Sequence, residues 1–116
     1  MLEKMKLTLV LLLSFGLALP VIANAAAKPS KTLKNLQAAY NGESNAHAKY
    51  LEFAKQAEKE GYGKVASLFR AAAAAEQIHR TCEANVIKEM GATPTADVKL
   101  PPIKSTKQNL EDSANK

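Results

Sequence analysis

The sequence predicts an all-α protein: an antiparallel helical hairpin followed by the start of a third helix. A mostly apolar stripe between positions 33 and 57 recurs at alternating spacings of three and four, and a second such stripe runs from 65 to 90. Glycines stand where each stripe ends, and the segment between the stripes is too short for anything but a tight reversal.

In the first predicted helix, residues 32–59, one face is drawn by Leu33, Leu36, Tyr40, Glu43, His47, Tyr50, Ala54 and Ala57. Lys34, Lys49, Lys55 and Lys59 fall off that face and can stay in water. Gly61 and Gly63, in Glu60-Gly61-Tyr62-Gly63, are expected to supply a left-handed stop and the turn back. The second helix, residues 64–90, carries Val65, Leu68, Phe69, Ala72, Glu76, His79, Glu83, Val86 and Met90 along its stripe, with Ile87 beside it. Gly91 ends it and Pro94 prevents its continuation. Residues 92–104 hold Pro94, Pro101 and Pro102 and read as an extended linker. Ser105-Thr106-Lys107-Gln108 has the form of a capping box and opens a third helix over 105–116. An offset of 74 sets Thr32, Asn35, Leu36 and Asn41 over Thr106, Asn109, Leu110 and Asn115. This is a weak internal repeat, in which the counterpart of Glu43 falls at position 117, beyond Lys116.

The front of the chain reads as a secretory signal peptide, residues 1–25. Met1 to Lys6 is basic, Leu7 to Leu19 is almost wholly apolar, and Ala23-Asn24-Ala25 is a small-x-small cleavage signal. The apolar run contains Gly16 and stops at Pro20, short of the roughly 20 residues of a membrane span. The expectation is export to the periplasm or beyond the cell, with a flexible lead at 26–31 and no membrane association after cleavage. Losing Lys4, Lys6 and Glu3 takes the formal charge from +5 to +4. That mild excess comes without clustered arginines or an aromatic platform, so no nucleic-acid partner is expected. The single cysteine, Cys82, has no internal partner and reads as a small buried apolar residue.

Three metal-capable side chains interrupt the apolar stripes: Glu43 on the first helix, Glu76 and His79 on the second. An ionised carboxylate in a core costs several kcal/mol unless it is paired, so Glu43 and Glu76 call for a proton, a cation or a metal. Residues i and i+3 share a helical face, which lets Glu76 and His79 present oxygen and nitrogen to one point. Oxygen-rich ligation with one imidazole suits iron(II), or manganese, better than copper. His47 lies one turn from Glu43 and reads as a neighbour rather than a ligand. Glu83 reads as a rim carboxylate neutralising a lysine.

Asn41-Gly42-Glu43-Ser44-Asn45-Ala46-His47-Ala48-Lys49-Tyr50, then Glu60-Gly61-Tyr62, then Ala75-Glu76-Gln77-Ile78-His79 resembles the first half of the rubrerythrin di-iron domain, a ferritin-like four-helix bundle. The resemblance covers residues 31–91. It implies a Gly-Glu on one helix and a Glu-x-x-His on the next, both repeated on a second helix pair, with two irons held between. Carried over, Glu43 is a terminal carboxylate ligand, Glu76 a bridging carboxylate and His79 an imidazole ligand. Tyr50 resembles the family's tyrosine that hydrogen-bonds a carboxylate ligand, and His47 stands behind the ligands. The family's second Gly-Glu, second metal helix and four-cysteine rubredoxin module are not in these residues.

The fold expected is therefore half of a ferritin-like bundle, and the di-iron centre would be shared between two hairpins. Either a homodimer or a missing second half beyond Lys116 would complete it, a two-copy assembly balancing its carboxylates with two divalent ions. The resemblance implies an oxidoreductase reducing hydrogen peroxide, or a ferroxidase using dioxygen, with an electron donor the sequence does not identify. The alternative is a non-catalytic helical module that dimerises or binds metal weakly.

Overall fold

The computed structural model describes residues 28–115, which form three helices and no strand. The expected signal peptide, the first two residues of the lead and Lys116 lie outside the described residues. Helix α1 spans Lys31–Lys59, α2 spans Gly63–Glu89 and α3 spans Thr106–Ala114. No helix among the described residues is long and apolar enough to cross a membrane.

Helix α1 starts at Ser30, whose Oγ accepts the amide of Leu33 at 3.1 Å. It ends in a Schellman turn. Gly61 sits at φ +82°, its amide donating to the Glu58 carbonyl at 3.0 Å, and Tyr62 donates to Ala57 at 2.8 Å. Helix α2 ends the same way, with Gly91 at φ +78° donating to Lys88 at 2.9 Å and Ala92 to Ile87 at 3.1 Å. Gly63 does not share this role: it is the first residue of α2, and the left-handed step belongs to Gly61 alone.

The two long helices pack antiparallel, since partners rise along α1 as they fall along α2. Tyr40 meets Arg80, His47 meets Ala73 and Tyr50 meets Phe69. The core sits at the turn end, where Phe53, Ala54, Ala57, Ala66 and Phe69 are buried and Tyr50, Val65 and Leu110 close over them. Phe53 and Phe69 meet edge-on at 5.3 Å between ring centres, while Tyr50 stacks on Phe69 at 6.0 Å. Ala66 and Ala73 let the helices approach closely, and Ile87 anchors the far end. The expected α2 stripe splits in two. Phe69, Ala73 and Ile87 pack on α1, whereas Leu68, Val86 and Met90 are 60, 41 and 41% exposed.

The proline-containing linker is extended, as its composition predicts, and it is strapped to α1. Thr95, Asp97 and Lys99 donate their amides to the side-chain oxygens of Gln37, Asn41 and Asn45, at 3.2, 2.8 and 2.7 Å. Gln37 and Asn45 donate back to the carbonyls of Thr93 and Asp97, at 2.7 and 2.9 Å. Four helical residues advance about 6 Å and two extended residues about 6.6 Å. Amide side chains at i, i+4 and i+8 therefore act as the edge of a strand for alternate backbone groups of the linker.

The strap delivers the chain to the turn end, where α3 begins beside Glu60. The Glu60 carboxylate accepts both the amide of Thr106, at 2.7 Å, and its hydroxyl. Those bonds hold its pKa below the ordinary carboxylate value. Ser105 Oγ accepts the Gln108 amide at 3.2 Å, but the Gln108 side chain turns to Asp112, so the expected capping box is only half formed and Glu60 caps the neighbouring Thr106 amide instead. Asn109 is buried and clamps the Lys104 backbone through both its amide nitrogen and oxygen. Its counterpart in the repeat, Asn35, is exposed, and the serine caps of α1 and α3 stand one position out of that register.

Candidate metal centre

Glu43 reaches the centre from the middle of α1, and Glu76 and His79 reach it from one face of α2. Each offers a ligand atom, and the three atoms lie within 4.8 Å of one another. His79 Nδ1 is 3.5 Å from Glu76 Oε2 and 3.9 Å from Glu43 Oε2. Ligand atoms about 2.0–2.2 Å from a shared first-row metal sit roughly 3 to 3.5 Å apart. The spacing leaves room for an ion with little movement of the side chains.

The electrostatics also fit a cation. A hydrogen bond to Glu76, burial, and the neighbouring charges of Glu76 and Glu83 push the Glu43 carboxyl up to about 7, against a smaller opposing pull from His79. Two carboxylates this close share a proton near neutrality, and a divalent ion satisfies both in its place. The Glu43 and Glu76 side chains are 28 and 21% exposed and that of His79 is 59% exposed. The expectation that all three lie in a closed core is therefore corrected: the two carboxylates are partly buried and His79 is exposed.

The surrounding residues divide differently from the sequence reading. His47 Nδ1 lies 2.7 Å from the Ala73 carbonyl and donates to it, one turn before Glu76, so His47 ties α1 to α2. Tyr50 belongs to the aromatic cluster, and among the described residues no hydrogen bond joins it to Glu43 or Glu76. Cys82 is exposed, because it falls on the outer side of the stripe. Glu83 does not pair with a lysine. Its Oε2 is buried without a hydrogen-bond partner, and burial raises its pKa against the pull of His79. Its position seven after Glu76 and four after His79 signals a shared face, but sequence alone does not show whether a lysine reaches it.

An antiparallel hairpin that converges two carboxylates and an imidazole on one point has the geometry of half a helical-bundle metal protein. The rubrerythrin family model matches residues 34–115, and the chain belongs to that family. Nigerythrin of Nitratidesulfovibrio vulgaris is 47% identical over 70 residues, which are 60% of this chain and 35% of that protein. Rubrerythrin of Porphyromonas gingivalis is 36% identical over 91 residues, 78% of this chain and 46% of the relative. Nigerythrin in its partially reduced and its fully reduced, all-ferrous states superposes with a TM-score of 0.68 at 43% identity, covering 81% of this chain and 47% of that one. The chain thus spans less than half the length of these relatives, and the hairpin fold is shared with them.

Proposed function

We propose that the hairpin contributes Glu43, Glu76 and His79 to a rubrerythrin-type di-iron centre that reduces hydrogen peroxide, or oxidises ferrous iron, once a second hairpin completes it. The observation that carries this reading is the convergence of the three ligand atoms within 4.8 Å, in a chain of this family. Glu43 would bind one ion terminally, Glu76 would bridge, and His79 would bind through Nδ1, the nitrogen already turned toward both carboxylates. Bound iron supplies the electrons that reduce the oxidant.

The chain's own residues support that chemistry in three ways. The Glu43–Glu76 pair holds a proton near neutral pH, so it can take up or release one as the charge at the centre changes. The His47 tether holds α1 against α2 beside the site. The exposure of His79 leaves a path for a small oxidant. Leu68, Val86 and Met90 lie on the stripe of His79, above and below it, and are exposed, which supports docking of a second hairpin along that face, from a second copy or from further chain. The same surface supports the second reading, a non-catalytic module that associates through this face. The basic, apolar, small-x-small sequence of residues 1–25 supports export and action outside the cytoplasm.

Metal content and native mass after anaerobic reconstitution with ferrous iron test the proposal. The expected result is stoichiometric iron in an assembled species, lost in Glu76→Ala, with peroxide consumption that follows the iron. Iron-free protein at saturating ferrous ion would exclude a di-iron centre assembled from copies of this chain.

A further inference from the structure

We propose that Glu83 is a fourth metal-facing group of this centre, a carboxylate that helps hold the cation beside Glu43, Glu76 and His79. The inference rests on the metal-centre reading above and extends it to a residue outside the Gly-Glu and Glu-x-x-His pattern.

Glu83 follows Glu76 by seven residues and His79 by four, so the three occupy one face of α2 at successive turns. The electrostatic coupling agrees with that placement. The charge of Glu83 acts on Glu43 across the seam, and Glu83 in turn feels His79 and Glu76. One carboxylate oxygen, Oε2, is buried with no hydrogen-bond partner, the only such side-chain atom among the described residues. The Glu43–Glu76 pair and the Glu60–Thr106 cap show that the chain's other inward-turned carboxylates have partners.

An uncompensated buried carboxylate oxygen costs about 1–3 kcal/mol or more, and an apolar residue at the same place would avoid that cost. The charge is costly only while the site lacks a cation. A divalent ion held by the trio would lie one helical turn away, where Glu83 meets it directly or through a bound water. Its three side-chain torsions give the reach. A third carboxylate on the hairpin also favours a hard divalent ion over copper and strengthens binding by a half-assembled centre.

Titration of the purified, metal-free chain with Mn(II), followed by calorimetry and by the manganese spin signal, tests this against Glu83→Gln and Glu83→Leu. Affinity is expected to fall 10- to 100-fold in both variants, while their metal-free melting temperatures stay at or above the wild-type value. Glu83→Asp is expected to recover part of the lost affinity. Equal Mn(II) affinity in wild type and Glu83→Gln would overturn the role of Glu83 and leave the metal-centre reading standing. Weaker binding only in variants whose metal-free fold is also lost would overturn it as well, assigning Glu83 to the fold. Absence of Mn(II) binding in the wild type, with Fe(II) equally unbound, would bring down the role of Glu83 together with a centre assembled from copies of this chain.

Discussion

The most direct consequence of the Glu43–Glu76 contact is an inverted pH dependence of stability in the metal-free chain. Glu43 titrates near 7 in the folded protein and near 4.5 when unfolded. The native state therefore binds more protons between those values, and stability must fall as pH rises through that window. A shift from 4.5 to about 7, at about 1.4 kcal/mol per pH unit, gives a full effect of about 3 kcal/mol. About 2 kcal/mol of it is lost between pH 5 and 7.5. Glu83, raised by burial, acts in the same direction. Urea denaturation followed by circular dichroism, with a chelator present, measures this at several pH values. Glu76→Gln removes both the hydrogen bond and the charge that raise Glu43, so its profile should flatten and cross above wild type by about 1 kcal/mol at pH 7.5. Adding ferrous or manganous ion at about 100 times its dissociation constant should restore nearly 3 kcal/mol to the wild type. Metal-free stability that is level or rising from pH 5 to 7.5, or a Glu76→Gln variant weaker than wild type at pH 7.5, would refute the reasoning.

Three further outcomes are expected. Alanine at Gln37, Asn41 or Asn45 should cost about 1 kcal/mol per lost hydrogen bond and speed amide exchange at Thr95, Asp97 and Lys99, read by two-dimensional NMR. Acidification should release α3, because the depressed pKa of Glu60 gives a contribution present above the ordinary carboxylate value and lost as pH falls through the lowered one. Loss of Thr106 amide protection below pH 4.5, absent in Glu60→Gln because that variant lacks the protection at every pH, is the check. Gly42 lies within α1, where a Cβ would meet nothing within 4 Å, so Gly42→Ala should stabilise the chain by about 0.5–1 kcal/mol. Destabilisation measured in the assembled protein but not in the isolated hairpin would place a docked helix against that position.

The legibility of each feature in the sequence follows from the range of the interaction that makes it. Helices α1 and α2 begin and end within a residue of their expected bounds because their signals are local: a period of 3.6, and Gly61 and Gly91 at the only backbone positions with positive φ among the described residues. The convergence of Glu43, Glu76 and His79 on one seam is legible for the same reason, since each sits at a fixed phase of its own stripe. The strap was not readable. Gln37, Asn41 and Asn45 look like any solvent-facing amides until the linker is laid beside them some 50 residues later. Glu60 reads as part of a turn, and its partner Thr106 is 46 residues away. Cys82 differs because it falls on the outer side of the stripe, and Glu83 because its place on the stripe does not reveal whether a lysine reaches it.

The match between the helical and extended repeats along the strap also makes the linker a gauge of its own length. Only alternate amides, those of Thr95, Asp97 and Lys99, turn toward α1. Adding or removing one residue before Thr95 would turn the wrong set inward and break every rung, whereas a change of two would restore the facing and shift the rungs by one helical turn. Because α3 is seated by Glu60 at a fixed place, even the permitted change must be absorbed between Lys99 and Ser105. Variation in this crossover should come in pairs of residues, and a single insertion should free α3 from the hairpin while leaving α1 and α2 folded.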